Sequence, residues 1–293
     1  MKDLLINPTL DLKNEGKSFY WASFFLPKKS KTKAGSLYSI CRYFDNIADA
    51  DEDDKTLFLE NSIKDIKNDK KNIVNIFLTK NDINIRIFAD LIDGLISDQK
   101  KIKIKDKNEL IYYSYQVAGT VGLMMSRIIG VNDRNAASCA IDLGIAMQLT
   151  NIVRDVYEDA QMSRIYLPSD WLPGVNISML NGQIEIDSEQ ENNIYDAIYK
   201  LINLSEKFYC NGFSGLKYIP FKTRLGILIA GNIYRGIGTK IKKSRKKYLK
   251  KRVYLNAQEK ILITLKSVFI FILLPFINYK YSKLRESMPN ENI

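Results

Sequence analysis

A polar stripe between residues 148 and 159 constrains the fold of this chain more than any other feature. Gln148, Asn151, Asp155 and Asp159 follow one another at intervals of three or four residues. On an α-helix these positions fall within an arc of roughly 80°. Most of the residues between them are apolar, so the polar stripe is bordered by side chains that favour burial. The pattern predicts a helix that forms one wall of an internal cavity.

A second stripe of the same kind lies upstream. Tyr38, Arg42, Asp45 and Asp49 share a helical arc of about 60°, and this stripe also ends in two carboxylates one turn apart. Like charges at that spacing weaken an isolated helix by a few tenths of a kcal/mol. Each pair alone is compatible with a solvated helix face. Two matched stripes favour a divalent cation that offsets the repulsion between the carboxylates.

The residue types available restrict the chemistry. The chain contains no histidine, which excludes Ser-His-Asp and Cys-His catalysis as well as imidazole-bound zinc. The three cysteines are far apart, with no CxxC pair, which disfavours a disulfide framework and fits the cytoplasm. A bound metal must therefore be held mainly by oxygen, so the prediction is Mg²⁺, with Mn²⁺ as the alternative.

The formal net charge of +11 favours an anionic partner: nucleic acid, anionic lipid or a phosphorylated small molecule. Nucleic acid is disfavoured because the basic run, residues 240–252, lies at one end and no nucleic-acid-binding module is present. The chain also lacks a phosphate-binding loop and a dinucleotide fingerprint. Carboxylates that hold Mg²⁺, basic residues and apolar walls together suit the ionisation of an allylic diphosphate.

Apolar residues mostly recur at intervals of three and four, and hairpin signals are lacking. The chain of 293 residues is therefore predicted to be all-α, with one bundle-like domain over residues 1–293. Small residues at positions 118–122 predict close packing or a helix break beside a pocket. The predicted helices are 10–25, 36–50, two or three over 55–100, 135–157, 189–213 and 221–248, with an acidic helix start at 51–54, a basic loop at 28–35 and a loop region at 168–187.

The most apolar segment, residues 268–277, is too short to span a membrane, and the N-terminus has no apolar run typical of a signal peptide. Two interpretations of the segment remain. The favoured one is a buried terminal helix. The other is contact with a membrane surface, since Lys260, Lys266, Lys280 and Lys283 flank the segment.

Four blocks of sequence resemble the squalene/phytoene synthase family. They are KSFYWA (residues 17–22), YSICRYFDNIAD (38–49), YSYQVAGTVG (113–122) and QLTNIVRDVYEDAQMSRIYLP (148–168). The similarity runs from about residue 15 to 172, becomes thinner through Tyr234 and Arg252, and leaves residues from about 240 to 293 divergent. It implies an isoprenoid synthase helical bundle with a central cavity, and head-to-head condensation of two prenyl diphosphates.

The resemblance also implies roles for residues. The metal ligands would be Asp45, Asp49, Asn151, Asp155 and Asp159, with Gln148 on the same wall. Diphosphate contacts would come from Ser18, Tyr38, Arg42, Arg154 and Arg252. Further pocket positions are Tyr113, Arg164, Tyr166 and Tyr234, and Phe19 would line the prenyl channel. At Glu15 the chain departs from the histidine found in many members.

The runs CAIDLGIAMQLTNI and RIYLPSDWL are most similar to bacterial phytoene synthases. These enzymes of carotenoid biosynthesis join two C20 geranylgeranyl diphosphates through a cyclopropyl diphosphate, without NADPH. Squalene, dehydrosqualene or presqualene diphosphate synthesis from C15 farnesyl diphosphate is the alternative. A non-catalytic lipid-binding or scaffold homologue is a second alternative. Apolar substrates and products predict peripheral association with the inner face of the membrane, and the sequence does not indicate an oligomeric state.

Overall fold

Helices are the regular elements of this protein over the residues that the computed structural model describes: 12–50, 54–99, 103–244 and 252–291. No strand occurs in these ranges, only an isolated bridge between Lys103 and Ile165. The all-α prediction is confirmed. The helices are α1 (Lys17–Ser23), α2 (Lys28–Asp49), α3 (Lys55–Asn68), α4 (Ile73–Lys80), α5 (Ile85–Ser97), α6 (Lys107–Ser114), α7 (Thr120–Ile128), α8 (Ala136–Gln161), α9 (Ile177–Leu180), α10 (Ser188–Ser214), α11 (Phe221–Ser244) and α12 (Ala257–Leu273).

The central helix is α8, which carries the predicted polar stripe. It packs against α7, α10 and α11, and against the turn that precedes α7. Within the described residues α8 is the one helix long and apolar enough to cross a membrane by length and composition, but most of it is buried, as in the core helix of a soluble protein. Its apolar flanks, including Ile145, Leu149 and Val153, are fully buried. Burial of these flanks leaves Gln148 and Asn151 of the polar stripe lining a cavity.

At the small residues the helix is not interrupted: a π-helical turn, Tyr115–Gly119, joins α6 to α7 with helical backbone angles at both ends. Two glycines allow this turn to approach α8. A Cβ on Gly122 would lie 2.2 Å from the carbonyl oxygen of Ala140, and one on Gly144 would lie 2.3 Å from that of Ala118. Such contacts are far inside van der Waals distance, so the expectation of close packing is confirmed, whereas the alternative of a helix break is wrong.

Helix α2 begins earlier than predicted. The basic segment 28–35 was expected to be a loop, but it forms the first two turns of α2. Pro27 is the N-cap, where a missing N–H does no harm, and its carbonyl accepts from the Lys31 N–H at 2.8 Å. Lysine is a good helix former, and the positive charges alone do not stop the helix. Predictions for residues 51–53 and 245–251 lie outside the described residues.

The prediction of a buried C-terminal helix is wrong. Within α12 only Thr264 and Ser267 are buried. They accept hydrogen bonds from Trp21 Nε1 and Asn232 Nδ2, each at 3.0 Å. Helix α12 therefore docks on α1 and α11 partly through small polar residues. Ile263, Ile270 and Phe271 pack against the core. The other large apolar side chains point outward: Ile261, Leu262, Leu265, Phe269 and Ile272, followed by Phe276 in the next turn.

Candidate active site

A cavity of about 690 Å³ lies between α1, α2, the π-helical turn, α8 and α11. Along α8 its lining runs from Ala136 to Arg154, a length of about 27 Å at the helical rise per residue. The C-terminal part of this wall is polar, with Gln148, Asn151 and Arg154. The N-terminal part is apolar or small. The cavity therefore joins a charged end to a long apolar channel.

Ten of the predicted site residues line this cavity. They are Phe19, Tyr38, Arg42, Asp45, Tyr113, Gln148, Asn151, Arg154, Tyr234 and Arg252. Five others lie outside the lining but beside it, as the contacts below describe: Asp49, Asp155, Asp159, Arg164 and Tyr166. Ser18 is half-buried on α1 and is not part of the lining.

Arginines hold the carboxylates of the first stripe. Arg42 on α2 forms ion pairs with both Glu15 and Asp45. Asp49, one turn beyond Asp45, accepts a hydrogen bond of 2.8 Å from Arg164, which follows α8. Burial, with the nearby charge of Asp49, raises the pKa of Asp45 despite its arginine partner. The stripe thus places two carboxylates one turn apart at the charged end of the cavity, each paired with an arginine.

The second stripe also pairs with arginines. Asp155 accepts from Arg154 Nε at 2.7 Å and forms an ion pair of 2.9 Å with Arg252 Nε. Burial, together with the charge of Asp155, raises the pKa of Asp159 to about 8. Asn151 donates to Gln148 Oε1 at 3.2 Å, while its own Oδ1 is buried without a hydrogen-bond partner in the described residues. An unpaired buried oxygen is unfavourable by about 1–3 kcal/mol.

Aromatic rings surround the charged end. The Phe19 ring lies 4.8 Å from that of Tyr234 and 6.4 Å from that of Tyr38, between ring centroids. Burial raises the pKa of Tyr38 and of Tyr234, so both phenols are neutral at ordinary pH. Aromatic faces of this kind stabilise a nearby cation and exclude water.

Asp98 is a polar residue of this site that the sequence analysis missed. It lines the cavity and caps the C-terminal end of α5. Its Oδ2 accepts from Tyr113 Oη at 2.9 Å, and its Oδ1 accepts from Tyr166 Oη at 3.0 Å. A carboxylate at a helix C-terminus opposes the helix dipole. This unfavourable position of a carboxylate was a sign in the sequence that contacts with other elements hold Asp98 there.

The oxygen donors of the two stripes fit a hard divalent cation. The unpaired Asn151 oxygen and the mutually repelling carboxylates supply the negative oxygen ligands that such a cation prefers. No group of three or more metal-binding side chains occurs in the part of the chain that the structure describes. Mg²⁺ is commonly bound by one or two carboxylates together with substrate phosphates. The residues therefore suit Mg²⁺ that binds together with an anionic substrate.

Comparison with known proteins agrees with this geometry. A family model described as squalene/phytoene synthase matches residues 12–259. A 15-cis-phytoene synthase from a Paracoccus species is 29% identical over 89% of this chain and 90% of its own length. A 4,4'-diapophytoene synthase from Staphylococcus haemolyticus is 30% identical over 85% of this chain and 90% of its own length. The crystal structure of a dehydrosqualene synthase in complex with a ligand covers 92% of this chain and 97% of its own, with a TM-score of 0.79 and 26% identity.

Proposed function

The chain belongs to the squalene/phytoene synthase family, and we propose that it joins two molecules of C20 geranylgeranyl diphosphate head to head to form phytoene. As a family member it is a prenyltransferase with the all-α isoprenoid synthase fold, and the family acts on prenyl diphosphates. The match to prenyltransferases over most of the chain removes the support for a non-catalytic lipid-binding or scaffold homologue. The choice of the C20 substrate depends on the size and lining of the cavity.

The extent of the apolar channel supports the C20 substrate. Below the polar end, the α8 wall continues through Gly144, Ala140 and Cys139 to Ala136, and Gly215 faces the same region. A Cβ on Gly215 would lie 2.4 Å from the Cβ of Cys139, so Gly215 packs directly against α8 at the far end of the channel. Each further methylene that is buried contributes about 0.8 kcal/mol, which favours the longer chain. C15 farnesyl diphosphate is the second candidate, because relatives named diapophytoene and dehydrosqualene synthases also match.

Residues of the two stripes provide the site for the diphosphates. Asp45, Asp49, Asp155 and Asp159, with the Asn151 oxygen, would hold Mg²⁺. When bound, Mg²⁺ would supply a positive charge that stabilises the leaving diphosphate. Four arginines that now pair with carboxylates or lie beside them would bind diphosphate oxygens, since a guanidinium suits phosphate geometry: Arg42, Arg154, Arg164 and Arg252.

The proposed reaction has two stages. The C–O bond of the first substrate breaks, its electron pair leaves with diphosphate, and the double bond of the second substrate captures the allylic cation. Loss of a proton closes a cyclopropane ring. The second C–O bond then breaks, its electron pair leaves with the second diphosphate, and the skeleton rearranges to a 1–1′ linked cation. Loss of a second proton forms the central double bond of the hydrocarbon. Phe19, Tyr38 and Tyr234 surround the charged end and would stabilise the cation and exclude water.

A product assay tests this proposal. Purified protein would be incubated with Mg²⁺ and either geranylgeranyl or farnesyl diphosphate, with and without NADPH, before the hydrocarbons are extracted. We expect a C40 product from the C20 substrate alone. A C30 product from the C15 substrate alone would show that the C20 assignment is wrong, and arrest at a cyclopropyl diphosphate would show that the reaction ends before phytoene. Asp155→Asn should lower turnover at least 100-fold, the scale for removing one electrostatic contact to developing charge, and full turnover would contradict its role.

We also propose that α12 is the surface that docks on an anionic membrane. Its outward apolar residues, from Ile261 to Ile272, share one arc of about 100° and are 48–64% exposed. Lys266, Lys280 and Lys283 beside them are exposed, and their charges complement anionic lipid headgroups. An apolar stripe beside basic residues is typical of a helix that lies in the membrane interface.

Vesicle flotation tests this surface. Leu265→Glu with Phe269→Glu should abolish binding to vesicles that contain phosphatidylglycerol. The control, Leu57→Glu on α3, changes an equally exposed leucine and should leave binding intact. If the double variant binds vesicles as well as the unchanged protein, α12 is not the docking surface. If it instead loses self-association in solution, the apolar face is an interface between two copies of the chain.

A further inference from the structure

The C-terminal tail, residues 278–291, follows α12 and returns to the core of the helical bundle. It lies beyond residues 12–259, the part of the chain that matches the family model. Met288 and Asn290 near its end are both buried. A turn closes here, since the Glu291 N–H donates to the Met288 carbonyl at 3.1 Å and Glu291 Oε2 accepts from the Met288 N–H at 2.9 Å. These bonds hold the end of the tail in one conformation.

Two adjacent residues of this turn are attached to two different walls of the cavity. Asn290 Nδ2 donates to Asp90 Oδ2 on α5 at 2.7 Å and to Tyr115 Oη at 3.4 Å. Tyr115 is the first residue of the π-helical turn and donates its own hydroxyl hydrogen to the same Asp90 oxygen. Glu291 Oε1 accepts from Ser138 Oγ on α8. The tail therefore connects the π-helical turn to α8 through side chains that lie behind the cavity lining.

The residues beside these attachment points line the apolar part of the cavity. Ala118 belongs to the same π-helical turn as Tyr115. Cys139 follows Ser138 on α8 and also lines the cavity. Along α8, Ser138 lies about 20 Å from Asn151 at the helical rise per residue. The tail is thus attached at the end of the cavity that is remote from the charged stripes.

The π-helical turn is packed closely between two helices. A Cβ on Gly94 of α5 would lie 2.8 Å from the Gln116 Cβ, and on the opposite side Gly144 of α8 approaches the Ala118 carbonyl. Such turns are rare and frequently occur at functional sites. The Tyr115 hydroxyl, bonded to α5 and to the tail, fixes the position of the turn relative to both helices.

We propose that the C-terminal tail determines which prenyl chain length the cavity prefers: Asn290 holds the π-helical turn against the apolar end, which favours the C20 over the C15 chain. The inference rests on the proposed condensation of prenyl diphosphates. The C20 chain has one more isoprene unit, which reaches farther along α8 toward Ala136. Only walls at a fixed separation pack closely on that unit, because a gap of about 0.5–1 Å forfeits roughly a quarter to a half of the dispersion attraction. Asn290 and Tyr115 are positioning residues, since neither lines the cavity.

Steady-state kinetics with the two substrates test the proposal. Asn290→Ala removes the bonds of the tail to Asp90 and Tyr115, and Tyr115→Phe removes the hydroxyl from the other side. Each should lower the ratio of kcat/KM for geranylgeranyl diphosphate to that for farnesyl diphosphate about 10-fold, the lower end of the effect of one methylene group in a pocket. The change should lie mainly in KM for the C20 substrate, as expected when binding common to ground state and transition state is lost.

Matched controls separate specificity from general stability. Asn278→Ala changes an exposed asparagine of the same tail, and Tyr112→Phe changes an exposed tyrosine of α6. Both should keep the ratio of the unchanged protein. Asn290→Gln, which keeps the amide donors, should recover part of the ratio. Thermal stabilisation by Mg²⁺ and inorganic diphosphate should be the same in all these variants, because the charged end is remote from the tail.

A binding measurement judges the tail even without turnover. Prenyl thiodiphosphates carry sulfur in place of the bridging oxygen, and the ratio of their Kd values should shift about 10-fold toward the C15 chain in Asn290→Ala. If the unchanged protein forms no product from either substrate, the proposed condensation is wrong, and this shift still supports the role of the tail. If the kcat/KM and Kd ratios of Asn290→Ala and Tyr115→Phe equal those of the unchanged protein, the tail only supports the fold.

Discussion

At the scale of single residues, the arrangement of the site carboxylates lowers the free energy of unfolding. Burial and the charge of Asp155 raise the pKa of Asp159 from 3.8 to about 8. Between those pH values the folded protein binds more protons at this group than the unfolded chain does. Stability therefore falls as the pH rises through this window. A bound cation would reverse the effect by favouring the ionised carboxylate.

Replacing Asp159 should therefore have opposite effects on stability without and with a bound cation. Asp159→Asn should raise Tm by about 2–4 °C at pH 8 without divalent cations, the shift expected for roughly 1 kcal/mol in a chain of this size. With Mg²⁺ and inorganic diphosphate, the unchanged protein should gain more Tm than the variant. Thermal unfolding followed by fluorescence measures both. Asp196→Asn, at an exposed position on α10, should change neither quantity.

The prediction for Asp159 has a clear contrary result. A variant that is no more stable than the unchanged protein at pH 8 in the absence of cations would show that the buried charge is already compensated. If Mg²⁺ and diphosphate stabilise both proteins equally, Asp159 is not a metal ligand.

At the scale of elements, the contact between the π-helical turn and α8 depends on glycine. Gly144→Ala would place a Cβ 2.3 Å from the Ala118 carbonyl oxygen, so backbone must move. We expect a loss of about 1–3 kcal/mol in the free energy of unfolding, measured by urea titration. Gly144 also lines the cavity, so product formation should fall with stability.

A second helical glycine provides the matched control. On α11 a Cβ at Gly238 would meet only the Ile202 Cγ2 atom, at 3.9 Å. Because alanine is the better helix former, Gly238→Ala should stabilise the protein by about 0.5–1 kcal/mol. If Gly144→Ala behaves in the same way, the close approach of the turn to α8 is not required.

At the scale of the whole molecule, the C-terminal tail is fastened to the central helix. The Arg285 side chain is only 3% exposed and forms ion pairs with Asp142 at 2.6 Å and Glu291 at 2.9 Å. Asn211 on α10 donates to Asp142 Oδ2 at 2.7 Å and to the Ser282 carbonyl at 2.8 Å. The tail thereby links α8 and α10 near the apolar end of the cavity, where Cys139 lies.

Removing Arg285 should therefore affect the entire molecule. Arg285→Ala would leave the fully buried Asp142 carboxylate without its ionic partner, and the loss expected for such a change is about 3–5 kcal/mol. Lys283→Ala breaks a pair of exposed residues, Lys283 and Glu286, which contributes about 0–1 kcal/mol. Urea denaturation of both variants compares the two. Similar small losses would show that the tail is not part of the cooperative fold.

The sequence by itself determined the features that repeat along a helix. The two stripes around Asp45 and Asp155, the close packing of the small residues near Gly119 and the resemblance of the motif blocks could all be recognised from the sequence. Their physical basis is local: backbone hydrogen bonds set the helical repeat, so residue spacing defines which side chains share a face. The helices α10 and α11 were predicted within one residue at their described ends, apart from the end of α11, beyond which residues 245–251 are not described.

Only the tertiary structure decided which distant residues meet. Arg252 reaches Asp155, and Asp98 joins Tyr113 to Tyr166, although no local pattern connects these positions. For the same reason the outward face of α12 was only the second of the two interpretations of that segment. Its composition resembles that of a core helix, but burial depends on which surface a helix finds when the chain packs. Long-range packing, rather than helical periodicity, therefore completes the site.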